Sequence, residues 1–292
     1  MDRGFEFTEI EYSEKNQRMG KRIRSLIPFL LFVLTILSTF FVGGGWYSLS
    51  IILILLAHEM GHFFVGIHHG VRVSLPFFIP FPFPPFGTMG AIIRMRSFMG
   101  NRKALFDIGV AGPIMGLIFA IPAIIIGLKM SKLVPPEIGR QHGQSLGVPI
   151  LFKIIQAIVL RDIPDHMDII LHPIGYAGWV GLFVTALNLI PVGQLDGGHI
   201  MYALLGRKSK YVYRIVVGIL AIICVIYNPQ WVILVILLIF FGFRHPPTLD
   251  DYYPLDWKRK SLGIGMIILF VLSFTPIPFP DYLKEIKRLW GF

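Results

Sequence analysis

Apolar residues in this chain fall into long unbroken runs instead of recurring at a helical or strand interval. The runs cover about residues 26–42, 47–67, 104–128, 173–190, 211–227, 231–243 and 262–274, with polar or basic connections between them. Crossing the hydrocarbon core of a bilayer takes an α-helix of about 20 apolar residues. The pattern therefore predicts an all-α polytopic membrane protein with six or seven transmembrane helices. The count turns on 262–274, which is short and precedes a basic tail that would lie outside, against the positive-inside rule.

Three stretches depart from that pattern. Residues 68–103 interleave Pro76, Pro80, Pro82, Pro84 and Pro85 with phenylalanines. Such a run cannot be helical, yet it is too apolar for a solvated loop, so it reads as a re-entrant or interfacial segment. Within it, residues 87–96 alternate: Met89, Ala91, Ile93 and Met95 fall on one face, and Thr88, Gly90, Ile92, Arg94 and Arg96 on the other. Period two predicts a strand, half of a small β-hairpin. Residues 129–172 are mixed in charge around a moderately apolar piece, 146–160, suited to the interface. The run from Pro173 spaces Gly175, Gly178 and Gly181 as a tightly packed helix face, then meets Asn188, Pro191 and the sequence Leu195, Asp196, Gly197, Gly198. Proline ends the helix there, and the glycines let an irregular turn aim Asp196. Gly112 and Gly116 form a GxxxG pair that allows close helix approach, or is ordinary membrane-helix glycine.

Composition agrees: 54% of the residues are hydrophobic and 15% charged, which excludes an ordinary soluble domain. The net charge of +10 sits in short clusters between the apolar runs, where it sets topology and meets anionic lipid, so no nucleic-acid partner is expected. Lys15, Arg18, Lys21, Arg22 and Arg24 place the N-terminus in the cytoplasm of a multi-pass cell-membrane protein. Residues 1–25 then form a cytoplasmic segment and 26–243 the membrane-embedded domain. Residues 244–292 supply a cytoplasmic loop, a possible final helix and a tail. The lone Cys224 leaves neither a disulfide framework nor a cysteine ligand, and the acidic N-terminus lacks the form of a cleavable signal peptide.

The chemistry lies in the second run, where His58, Glu59 and His62 spell HExxH inside an apolar span. Residues four apart share a helix face, so both imidazoles can meet one metal ion while Glu59 points about 100° round the axis. Counted from a cytoplasmic N-terminus, the second and fourth spans both descend to the cytoplasmic side. Asp196 can therefore join the two histidines as a third ligand to one Zn2+. Bound zinc lowers the pKa of its water toward about 7, and Glu59 is the expected general base. Asn188 could bind substrate backbone or an oxyanion, or equally stitch the broken helix. His68, His69, His142, His166, His172, His199 and His245 read as interfacial or structural, with His199 the nearest rival ligand.

With HEMGH in an early span, GTMGA after it and NLIPVGQLDGG later, residues 46–206 resemble the site-2 protease family of intramembrane zinc metalloproteases. The resemblance implies His58, His62 and Asp196 as ligands and Glu59 as the base. It also makes the strand containing Gly87, Thr88, Met89, Gly90 and Ala91 a sheet edge that holds substrate. Its implied substrates are transmembrane segments of other proteins. No stretch has the length or polarity of the PDZ or CBS domain that some members carry. A metal-ion or proton carrier using the same intramembrane cluster is the alternative. A membrane di-iron oxygenase would need further histidine boxes.

Overall fold

The structure, a computed structural model, describes residues 3–95, 99–142, 145–161, 164, 167–226, 231–242, 248–252 and 254–280. Arg96, His166 and His245 lie outside them, as does the connection 227–230 between two of the apolar runs. In chain order the elements are α1 (Arg3–His68), β1 (Phe77–Pro80), β2 (Thr88–Ile92), α2 (Arg102–Met130), β3 (Lys132–Val134), α3 (Pro136–His142), α4 (Ile150–Val159) and β4 (Asp168–Ile170). They continue with α5 (Pro173–Asn188), α6 (Asp196–Leu205), a 3-10 turn (Gly206–Lys208), α7 (Ser209–Ile226), α8 (Val232–Gly242) and α9 (Trp257–Ser273).

Among the described residues, two helical stretches are long and apolar enough to cross a membrane, Leu26–His68 and Arg102–Met130. The first has 43 residues, a length of about 64 Å if straight, roughly twice a hydrocarbon core. It is not straight. Gly44 breaks the helix at φ 76°, and beyond it Ser48 Oγ lies 2.8 Å from Thr39 Oγ1 and donates to the Ile36 carbonyl at 3.1 Å. Residues twelve apart are separated by about 18 Å in a straight helix. The chain therefore folds back on itself at Gly43–Gly45, where the three-glycine sequence predicts a turn between two spans. A Cβ on Gly43 would fall 2.4 Å from the Tyr47 ring, so the turn closes only on glycine. Leu26, Phe29, Leu30, Phe40 and Phe41 on the first arm stay exposed, a surface suited to lipid.

The second arm of α1, α2 and α5 form the centre. Helix α2 runs antiparallel to that arm, with Gly61 against Ala111, Gly112 against His62 and Gly116 against His58. Helix α5 turns back along α2: Gly175 packs on Gly127 and Gly178 on Ile124, while Gly181 meets Ile54 of α1. The spaced glycines do make a tight helix face. Tyr47, Ile51, Leu55, Ile124, Leu128, Trp179 and Leu182 fill the core between these helices.

The proline-rich segment supplies the predicted hairpin. β1 pairs antiparallel with β2, with Phe77 opposite Ile92, Phe78 opposite Ala91 and Pro80 opposite Thr88. A Val73–Met95 bridge extends the pairing. Three side chains hold the turn between the strands: Ser38 donates to the Gly87 carbonyl, Tyr47 to Phe86 and Tyr176 to Pro85. A second small sheet, β3 with β4, closes the connection between α2 and α5, and α4 falls inside the stretch read as interfacial. The fourth apolar run breaks as expected, α5 ending at Asn188 and α6 beginning at Asp196.

Candidate metal centre

The HExxH helix buries its polar side chains against α2, leaving His58, Glu59 and His62 each less than a tenth exposed. Asp196 arrives from the first turn of α6. Gly193 takes φ +56° in the intervening turn, and Gly197 and Gly198 let that turn lie on the carbonyls of Leu189, Val192 and Gly193. A Cβ on Gly197 would stand 2.1 Å from the Leu189 oxygen.

Three ligand atoms converge. His58 Nε2 and His62 Nε2 are 3.2 Å apart, and Asp196 Oδ2 is 3.2 Å from the first and 3.3 Å from the second. With bonds of about 2.0–2.1 Å, the edge of a tetrahedral zinc shell is about 3.3–3.4 Å. The triangle thus has the size of one face of such a shell. Asp196 Oδ2 is buried without a hydrogen-bond partner, although both imidazoles are near. Two imidazole nitrogens and a buried carboxylate oxygen converging on one point suit a cation, so the residues fit a metal.

Orientation comes from the surroundings. His62 Nδ1 donates to the Ile108 carbonyl at 2.8 Å, which fixes the proton on Nδ1 and leaves the Nε2 lone pair facing the triangle. A backbone acceptor has no residue signature, so nothing in the sequence points to Ile108. Gly112 and Gly116 clear space for the ligand rings: a Cβ on Gly112 would fall 2.0 Å from His62 Nε2, and one on Gly116 would fall 3.1 Å from His58 Nδ1. Gly112 tightly, and Gly116 more loosely, thus leave room for these rings as well as for the approach of the helices. The Asn188 amide nitrogen stands 3.2 Å from His58 Nε2. The Ile93 backbone lies near enough to the Glu59 carboxylate to act on it, so the chain just past β2 approaches this acid.

Of the hairpin residues, Met89 is 67% exposed and Ala91 is partly buried. Gly90 and Thr88 are buried, and the Thr88 hydroxyl donates to the Ile79 carbonyl and accepts from Gly90 N–H. Gly87, at φ +73°, lies in the turn against Ser38 and Thr39. His199 is buried one turn along α6, and the triangle forms without it. Among the other histidines, His69 pairs with Asp107 at 3.0 Å and His172 caps α5.

A buried HExxH pair joined by a carboxylate from a broken helix belongs to the class of metal-dependent hydrolase sites. The family model of peptidase family M50 matches residues 46–227, and the chain belongs to that family, the site-2 protease family. The probable zinc metalloprotease EGY1, chloroplastic, of Oryza sativa subsp. japonica is 30% identical over 251 residues, covering 81% of this chain and 41% of its own length. The probable zinc metalloprotease EGY2, chloroplastic, of Arabidopsis thaliana is 31% identical over 244 residues, covering 78% and 41%. The chain thus spans less than half the length of these curated relatives. A solved site-2 protease from Methanocaldococcus jannaschii aligns over 78% of this chain and 93% of its own, with 18% identity and a TM-score of 0.37.

Proposed function

We propose that this chain is an intramembrane zinc endopeptidase that cuts transmembrane segments of other membrane proteins. The observation that carries the reading is the ligand triangle, whose edges of 3.2, 3.2 and 3.3 Å match a tetrahedral face. In this role His58, His62 and Asp196 hold one Zn2+ per chain. A bound zinc ion supplies positive charge to a substrate carbonyl and lowers the pKa of a coordinated water toward about 7. Glu59 takes the proton from the attacking water and returns it to the leaving amine. Asn188, at the edge of the triangle, donates to the substrate carbonyl oxygen as it gains charge.

A helical substrate hides its peptide bonds, so it must be extended before it is cut. Among the described residues β2 has a strand partner on one edge, β1, and the chain leaving β2 reaches Glu59 through Ile93. A peptide added along the other edge, beside Met89 and Ala91, would be led to the acid. Gly87, Thr88 and Gly90 support that edge from the turn and the covered face. The chain crosses the cell membrane six or seven times in this reading, its basic N-terminal cluster in the cytoplasm. The carrier alternative needs groups strung along a path, whereas three ligand atoms converging on one point favour a reaction centre.

The test uses purified full-length protein, metal analysis and a panel of single-span substrates. Glu59→Gln keeps the side-chain volume but cannot take the proton. It should retain stoichiometric zinc while cleavage falls by about 10²–10⁴. Metal flux across liposomes with no peptide product from a broad panel would overturn the proposal.

A further inference from the structure

Helix α9 lies beyond the residues matched by the family model, yet it is fastened to the back of the metal centre. Its Arg259 grips Asp107 of α2 with both arms of the guanidinium fork, Nε to Oδ1 at 2.7 Å and Nη2 to Oδ2 at 2.6 Å. The same Oδ2 accepts from His69 Nε2 at 3.0 Å, one residue past the end of the HExxH helix. One half-buried carboxylate thus joins α1, α2 and α9. A planar fork on a carboxylate fixes orientation as well as distance, which a point charge does not.

The residue after Asp107 is Ile108, whose carbonyl receives the His62 Nδ1 proton. A rotation of this turn of α2 moves that acceptor directly. Behind it, α9 also braces the helix bearing Asp196: Met266 packs with Leu105, Phe106, Ile200 and Ala203, and a Cβ on Gly263 would come within 2.9 Å of Leu204. Arg102, at the start of α2, donates to the Ala203 and Leu204 carbonyls and ties α2 to the end of α6. The carbonyl that orients His62 and the helix that delivers Asp196 therefore share one support.

We propose that Arg259 is a positioning residue for the metal centre: through Asp107 it sets the turn of α2 whose Ile108 carbonyl orients His62, which makes α9 a working part of the site. This rests on the metal-site reading above. Arg259 also contacts Asp256, the N-cap of α9, whose side chain accepts from the Arg259 N–H. Losing that contact would act on α9 alone, and Asp256→Asn separates the two effects because asparagine caps as well as aspartate.

The experiment compares full-length wild type with Arg259→Gln, Arg259→Lys, Asp107→Asn and Asp256→Asn. It reads the visible absorption of cobalt(II)-loaded protein, the rate of zinc loss to a chelator, and kcat and KM on a single-span substrate. Removing an outer partner of a metal-binding histidine costs roughly 10–100-fold in metal affinity or activity. Arg259→Gln and Asp107→Asn should speed zinc loss by about that factor, shift the cobalt spectrum, and lower kcat with KM within about twofold. A double variant, Arg259→Gln with Asp107→Asn, should be no worse than the worse of the two single ones, because both act through one contact. Arg259→Lys should fall between, and Asp256→Asn should match wild type. If Arg259→Gln fails to fold, Arg259→Lys decides. A wild-type cobalt spectrum and zinc-loss rate in a variant that only melts earlier would overturn the proposal and leave α9 a plain brace. A wild type that takes up neither cobalt nor zinc would instead bring down the metal-site reading itself.

Discussion

Substituting Gly112 by alanine separates two explanations of the small residues on α2. If Gly112 and Gly116 merely let helices approach, adding a methyl to either should cost similar stability and spare the metal. The geometry predicts otherwise. A Cβ at Gly112 would sit 2.0 Å from His62 Nε2, where ordinary contact begins near 3.4 Å, so the ring must retreat by roughly 1.4 Å. The ring is pinned on its other side by Nδ1 donating to Ile108, and metal bonds hold to within about 0.2 Å. His62 therefore leaves the triangle. Losing a ligand costs at least what losing its outer partner does, so zinc should bind at least about 100-fold more weakly, near 2.7 kcal/mol. At Gly116 the methyl would lie 3.1 Å from His58 Nδ1, which a shift of tenths of an ångström relieves, so Gly116→Ala should weaken zinc by less than about tenfold. Alanine also gains about 1 kcal/mol of helix propensity, which offsets part of any packing cost in both variants. Competition with a chromophoric chelator, beside thermal melts, measures the contrast. Zinc affinity within threefold of wild type in Gly112→Ala would refute the argument.

Asp196→Ala should lose most of its zinc on metal analysis; a full complement with full activity would require another ligand, and His199, buried one turn along α6, would be examined first. Proline at Met89 or Ala91 removes a backbone donor from the hairpin and should weaken substrate cleavage while zinc content stays at the wild-type level. Unchanged cleavage at both positions would remove β2 from substrate binding.

The elements that could be read from residues alone were those with a local signature. HExxH declared its spacing, Pro191 and the glycines after it marked the broken helix, Gly43–Gly45 marked the fold-back, and alternation marked β2. The rest depended on register between distant segments. β3 and β4 are three residues each and meet across the whole 132–170 connection, too short to show a period. Gly112 looked like any membrane-helix glycine until the antiparallel pairing of α1 and α2 set it against His62. Asp107 and Arg259 are 152 residues apart, and no spacing rule connects them. Ile108 contributes only its carbonyl, which every residue carries.

The two halves of the ligand triangle come from opposite ends of the central fold, and 130 residues separate Asn188 from His58 beside it. During synthesis the HExxH helix is made long before α6 exists, so the early chain holds the two imidazoles without Asp196. On the proposed reading, a product that stops before residue 196 would lack the carboxylate corner of the triangle and should neither hold the metal nor cut. The triangle itself exists only where α5 and α6 lie back against α1 and α2, so retention of the ion would report that this packing is complete.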